Sequence, residues 1–251
     1  MIQDNKSEGK CLFCGKIFAR TGISRHLKIE LEKLTADKPA GQSFLVKVET
    51  DPRWGKTPYF LSLWVDGDAT MKDIDTFLRK IWLECCGHLS RFLLPSANKG
   101  DAMNLNSLLK TFTQPHIKTG KHGEIAMNRK VNTVFYPDLK LDYQYDFGST
   151  TELQLTVIDE YPVKADKKVV LLSRNEPPKM LCNRCNKAPA TQYCTGCVQD
   201  GEGLLCNKCA KKHENEDECE NFPECAISPV INSPRMGVCG YEGGTIDIER
   251  D

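Results

Sequence analysis

Leu139-Lys-Leu-Asp-Tyr-Gln-Tyr-Asp-Phe147, followed by Gly148-Ser149-Thr-Thr-Glu152-Leu-Gln-Leu-Thr-Val157, is the stretch from which the fold is read. Apolar and polar residues alternate from Leu139 to Phe147, the period of two that a half-buried strand requires. Phe147-Gly148-Ser149 turns the chain. Leu153, Leu155 and Val157 then alternate with Glu152, Gln154 and Thr156 on the way back. Two such runs joined by a glycine-containing turn predict a β-hairpin, and so an antiparallel sheet.

The segments on either side extend that sheet. Phe44–Glu49 and Tyr59–Val65 carry the β-branched and aromatic residues of strands, and Val169–Arg174 gives another. Thr70-Met-Lys-Asp73 has the form of a capping box. It opens a helix in which Ile74, Phe77, Leu78, Ile81 and Trp82 recur at spacings of three and four. Cys85-Cys86-Gly87 ends that helix, and His88 to Leu94 reads as extended. Adjacent cysteines read as small packed hydrophobes, and His88 as a structural residue at a helix–strand corner. Residues 95–126 form a polar insertion with a short amphipathic piece around Leu105–Phe112, and Asn175-Glu-Pro-Pro-Lys179 breaks the chain. The expected fold class is α+β. A central mixed α/β domain (43–174), with antiparallel β-hairpins packed on a helix, is flanked by small zinc-binding modules.

Those modules are read from cysteine spacing. Cys182-Asn-Arg-Cys185, Cys194-Thr-Gly-Cys197 and Cys206-Asn-Lys-Cys209 are followed by His213 and Cys219. Three C-x2-C pairs and a His/Cys pair supply eight soft ligands, enough for two tetrahedral zinc sites in a module over 180–225. Cys225 competes with Cys219 for the last position, because the acidic run Glu214–Glu220 leaves its geometry undefined. At the other end, residues 1–35 hold Cys11-Leu-Phe-Cys14 and then His26 on a helix marked by Ile23, Leu27, Leu31 and Leu34. This arrangement resembles a small Cys-Cys-His-His finger, except that Glu30 stands where its fourth ligand would be. Residues 36–42 read as a linker. In the tail segment 226–251, Gly237-Val-Cys239-Gly240 places a thiol between glycines, with Arg235 as the near positive charge, and reads as a packing thiol.

Composition narrows the function classes. Thirty-four basic and 34 acidic side chains cancel, so no global field draws the chain to nucleic acid or anionic lipid. No apolar run approaches the ~20 residues of a membrane span. Thirteen cysteines, mostly in C-x2-C pairs behind a polar N-terminus without a signal-like apolar segment, point to thiolates on metal in a reducing compartment, the cytoplasm.

Residues 43–174 resemble the plasmid pRiA4b ORF-3-like family. The likeness rests on Phe44–Glu49, the helix ending in Ile81-Trp82, His88-Leu89-x-x-Phe92, and above all Tyr145-Asp146-Phe147-Gly148. The last motif runs on as Ser149-Thr-Thr-Glu152, without the Asp and Trp that usually follow in the family. The tail from Asn232 to Tyr241 has the look of a family signature too. The resemblance implies a fold and lends no activity. The cysteine-rich module resembles the cross-braced B-box and MYND zinc folds. That likeness implies one site of Cys182, Cys185, Cys206 and Cys209, and a second of Cys194, Cys197, His213 and Cys219; a sequential pairing of neighbouring motifs is the alternative. Closed sites of this kind fold protein rather than activate water. The functional expectation is a zinc-binding, non-catalytic interaction protein with a protein partner. The alternative is nucleic-acid binding through the N-terminal finger and Lys164, Lys167, Lys168 and Lys179. An enzyme using His88, Asp146 or Cys239 is the weakest reading, because sequence brings no two of them together.

Overall fold

The computed structural model of the protein describes residues 7–35, 38–50, 58–95, 117–198, 201–215 and 226–250. Its elements run β1 (Glu8–Cys11), β2 (Ile17–Ala19), α1 (Arg20–Thr35), β3 (Ala40–Thr50), β4 (Phe60–Asp66) and α2 (Met71–Leu78). Then come β5 (Ser90–Leu93), β6 (Glu124–Ile125), β7 (Lys140–Tyr145), β8 (Thr151–Val163) and β9 (Val169–Asn175). Last are β10 (Gln192–Cys194), β11 (Leu204–Leu205), α3 (Asn207–Asn215) and β12 (Ile227–Pro229). The fold is α+β, with one large antiparallel sheet.

The hairpin read from Leu139 to Val157 is present as β7 and β8, paired from Tyr145–Thr151 out to Lys140–Thr156. It sits inside a nine-stranded sheet of order β2-β1-β9-β4-β3-β8-β7-β5-β6. Alternation decides which side chain meets which face. Phe44, Val46 and Val48 of β3 join Leu61, Leu63 and Val65 of β4 in the main core, while Leu45, Phe60 and Trp64 point to the other side. β4 therefore has every residue buried, with apolar side chains on both faces and Ser62 and Asp66 buried among them.

Each face is covered by a helix. α2 lies on the main core, and its start is the expected capping box. Asp73 N–H donates to Thr70 Oγ1 at 3.2 Å, and Thr70 N–H donates to Asp73 Oδ2 at 2.7 Å. The helix widens into a π-turn over Arg79–Leu83, where Ile81, Trp82 and Leu83 are all buried. Three consecutive buried side chains exceed one helix face. The far side is covered by the C-terminal tail, which donates from Ser233 Oγ to Trp82 O at 2.8 Å and from Thr245 N–H to Lys80 O at 2.7 Å. Gly244 is required there, since a Cβ would stand 2.5 Å from Ile81 O.

Two expectations about separate segments change. The N-terminal finger-like segment is built into the sheet: β1 pairs with β9, and Ile23, Leu27 and Leu31 of α1 cover the second face against Leu45, Phe60 and Trp64. A 35-residue segment has little core of its own, so its apolar helix stripe takes the nearest apolar surface. The tail is likewise fastened to the domain. Arg174, fully buried, donates to Asn232 O at 2.6 Å and to Asp247 O at 3.0 Å, and Asn175 Nδ2 donates to Asn232 Oδ1 at 2.7 Å. The predicted linker is shortened, because β3 begins at Ala40. The amphipathic piece at Leu105–Phe112 lies outside the described residues. No helix among the described residues is long and apolar enough to cross a membrane.

Candidate metal centres

Every C-x2-C pair folds into the same local turn. The carbonyl of its first cysteine accepts from the N–H four residues on: Gly15 to Cys11, Asn186 to Cys182, Val198 to Cys194 and Ala210 to Cys206, all at 2.8–3.0 Å. The turn places both thiols of a pair on one side of the backbone. Gly15 (φ 70°) and Asn186 (φ 51°) take the left-handed conformation that closes two of them.

Tertiary structure then combines the pairs. Cys182, Cys185, Cys206 and Cys209 bring their sulfurs within 4.8 Å of one another, and Cys194, Cys197 and His213 form a second group on the same criterion. The first pair meets the third, and the second meets the histidine. α3 serves both groups, giving Cys209 to one and His213 to the other. Cys197 Sγ and His213 Nε2 stand 3.7 Å apart. In a tetrahedral zinc site such edges are roughly 3.8 Å between sulfurs and roughly 3.5 Å between sulfur and nitrogen. Cys219 and Cys225 lie outside the described residues. Around these groups the three-stranded sheet β11-β10-β12 has, among the described residues, a buried cluster of six residues, four of them cysteines.

Electrostatics in the four-cysteine group is uneven. Hydrogen bonding to the Ala188 and Lys187 backbone draws the Cys185 thiol down to about 6. Burial, then crowding by Cys206 and Cys182, pushes Cys209 up to about 12. Four thiols at one point repel as they ionise, and a divalent cation at their centre turns that repulsion into attraction.

Among the described residues the N-terminal group holds three donors, Cys11, Cys14 and His26. Phe18 stacks on the imidazole at 4.0 Å, which holds His26 Nε2 3.4 Å from Cys14 Sγ. Glu30, the expected fourth ligand, is not part of this group. Its carboxylate binds Lys33 Nζ at 2.9 Å, and that hydrogen bond lowers its pKa.

A fourth group was not anticipated: Cys85, Cys86, His88 and Cys239 bring their donor atoms within 4.8 Å of one another. His88 Nε2 lies 3.3 Å from Cys239 Sγ, and Cys86 Sγ lies 3.6 Å from the same sulfur. His88 Nδ1 is 3.6 Å from Asp146 Oδ1. The reading of Cys86 and Cys239 as packing thiols is corrected, because both are exposed. So is the pairing of Arg235 with Cys239. Arg235 is fully buried and donates to Asp146 Oδ2 at 2.5 Å and to Cys85 Sγ at 3.5 Å. That ion pair draws the Asp146 carboxyl down to about 2. His88, Asp146 and Cys239, which sequence could not connect, are neighbours. The overlooked signals were Cys-Cys-Gly-His at 85–88 and Gly-x-Cys-Gly at 237–240, two half-sets of ligands too short to stand out alone.

No protein-family model matches the chain, and no curated protein does. Among solved structures, the crystal structure of a protein of unknown function, MM3350 from Methanosarcina mazei Go1, is similar over 53% of this chain and 67% of that one. Its identity is 16% and its TM-score 0.36, a likeness that carries no argument about function.

Proposed function

We propose that this protein is a zinc-scaffolded, non-catalytic interaction protein that binds a protein partner through its cysteine-rich module, in the reducing environment of the cytoplasm. The observation that supports it best is the interleaving of the two C-terminal groups: Cys182/Cys185 with Cys206/Cys209, and Cys194/Cys197 with His213. Interleaved sites lock a short chain that has almost no apolar core. Zinc binding of this kind is worth on the order of 10 kcal/mol per ion at neutral pH, enough to order such a module. Cys219 or Cys225 completes the second site, and the cross-braced B-box or MYND type remains the architecture proposed. The central sheet is proposed to be of the pRiA4b ORF-3-like kind.

The nucleic-acid alternative has less support. Arg20 is paired with Glu49 at 2.5 Å, Lys28 with Asp159 at 2.9 Å and Lys164 with Asp68 at 3.2 Å. Charges neutralised within the protein release fewer counterions from a phosphate backbone. The test is cross-linking capture with the full zinc-loaded chain, set beside the C206S/C209S variant. A protein cross-linked to the exposed Lys208, Lys211 or Lys212 of α3 in the wild type, and absent from the variant, is the expected result. Recovery of no protein at those lysines, or a DNA or RNA gel shift at low salt in its place, overturns the proposal.

A further inference from the structure

The fourth group belongs to none of the zinc modules read from sequence, and three remote stretches converge to build it. Cys85, Cys86 and His88 follow the π-turn; Asp146 follows β7; Cys239 comes from the tail, 151 residues after His88. We propose that Cys85, Cys86, His88 and Cys239 bind one divalent ion of the zinc class, forming a metal clamp that fastens the C-terminal tail to the sheet domain.

The donor set is the first argument. Three thiols and one imidazole are soft ligands of the kind zinc selects, and 3.6 Å and 3.3 Å lie close to the edges of a zinc tetrahedron. The surroundings of the histidine are the second. A metal-ligating imidazole commonly directs its other nitrogen to a carboxylate, which sets the tautomer and aims the ring. Asp146 occupies that position beside Nδ1, leaving Nε2 toward the sulfurs. Asp146 is itself held by Arg235 and by the Gly148 N–H at 3.0 Å. Tyr145 meets the His88 ring edge-on at 5.8 Å. The Tyr145-Asp146-Phe147-Gly148 motif thus supports the ligands rather than joining them.

Backbone geometry and exposure agree. Gly87 (φ 73°), Gly237 (φ 78°) and Cys239 itself (φ 51°) adopt left-handed conformations that turn the two loops toward each other. For Cys239, a residue with a Cβ, that conformation is sterically unfavourable. Exposure of Cys86 and Cys239 gives an ion a path into the site. A cysteine nucleophile activated by His88 would need one thiol at the imidazole, and a packing role would need none exposed; three thiols closing on one nitrogen suit a ligand set.

Metal content of the full chain, purified under reducing conditions, tests the clamp by elemental mass spectrometry. Cys86→Ser and Cys239→Ser, both at exposed positions, serve as separate variants, with far-UV circular dichroism as the folding control. Each variant is expected to hold one zinc fewer per chain than the wild type. Because the readout is this difference, it stands apart from the metal content of the C-terminal module. Asp146→Asn is expected to weaken binding of that ion by about 10–100-fold in chelator competition. Folded variants with undiminished zinc overturn the proposal. So does a wild-type mass showing Cys86 and Cys239 joined as a disulfide, or rapid alkylation of Cys239 alone in the zinc-loaded protein.

Discussion

Asp75 has no exposed surface, yet four groups donate to it: Arg79 Nε at 3.0 Å, Lys72 Nζ at 2.7 Å, Ser90 Oγ at 2.5 Å and Tyr143 Oη at 2.7 Å. Burial works against its charge, but the hydrogen bonds from Lys72, Ser90 and Tyr143 and the charge of Arg79 outweigh it, so its pKa is lowered. Asp75→Ala leaves the Arg79 guanidinium with Glu84, 2.8 Å from Nη1, as its remaining counter-charge, and takes the acceptor from the buried Tyr143 hydroxyl. The expected loss is about 3–5 kcal/mol, the usual cost of breaking a buried pair from one side, read by urea unfolding at pH 7. The sign of the pH effect follows from the lowered pKa. The carboxylate's contribution is complete above its ordinary titration range near pH 4, and it disappears as the pH falls through the lower folded value. Asp146 has the same sign, with its window between about 4 and about 2. Wild-type stability is therefore expected to fall steeply below pH 4, and the Asp75→Ala variant to show a shallower acid limb.

Among the elements, α2 has the most explicit start. Thr70 and Asp73 satisfy one another's backbone N–H groups, and removing the hydroxyl leaves an N-terminal donor of the helix without its partner. Thr70→Ala is expected to cost about 1 kcal/mol, lowering the thermal midpoint by a few degrees without changing the fold. The other end of the same helix depends on distant residues. Its carbonyls at Lys80 and Trp82 are met by Thr245 and Ser233, so the helix C-terminus and the tail form one unit. The helix start was legible because a capping box lies within four consecutive residues. The π-turn and its strap were not, because the partners lie more than 150 residues away.

For the whole molecule, two kinds of core stand side by side. The sheet domain is held by an extended apolar cluster on α2's face and a second under α1, whereas the C-terminal module has a buried cluster dominated by cysteines. Metal removal is expected to separate them. With a strong chelator under reducing conditions, limited proteolysis is expected to cut between Cys182 and Asn215, while a fragment holding β3 to β9 survives. Equal resistance of both regions would show that the module needs no metal.

The sequence alone determined what depends on near neighbours. The alternation from Leu139 to Val157 specified a hairpin, Thr70-x-x-Asp73 a helix start, and each C-x2-C a turn with its two thiols together, because strand period, capping and turn geometry are settled within a few residues. Tertiary structure decided which pairs meet, that α1 and β1 belong to the main sheet, and that Glu30 turns to Lys33 rather than to the N-terminal thiols. It alone assembled Cys85, Cys86, His88 and Cys239, since a ligand set whose two parts lie 151 residues apart leaves no spacing to read. Its donors are brought together by the burial of Arg174, Asn232 and Arg235, which draws the tail across the sheet domain and sets Cys239 beside His88.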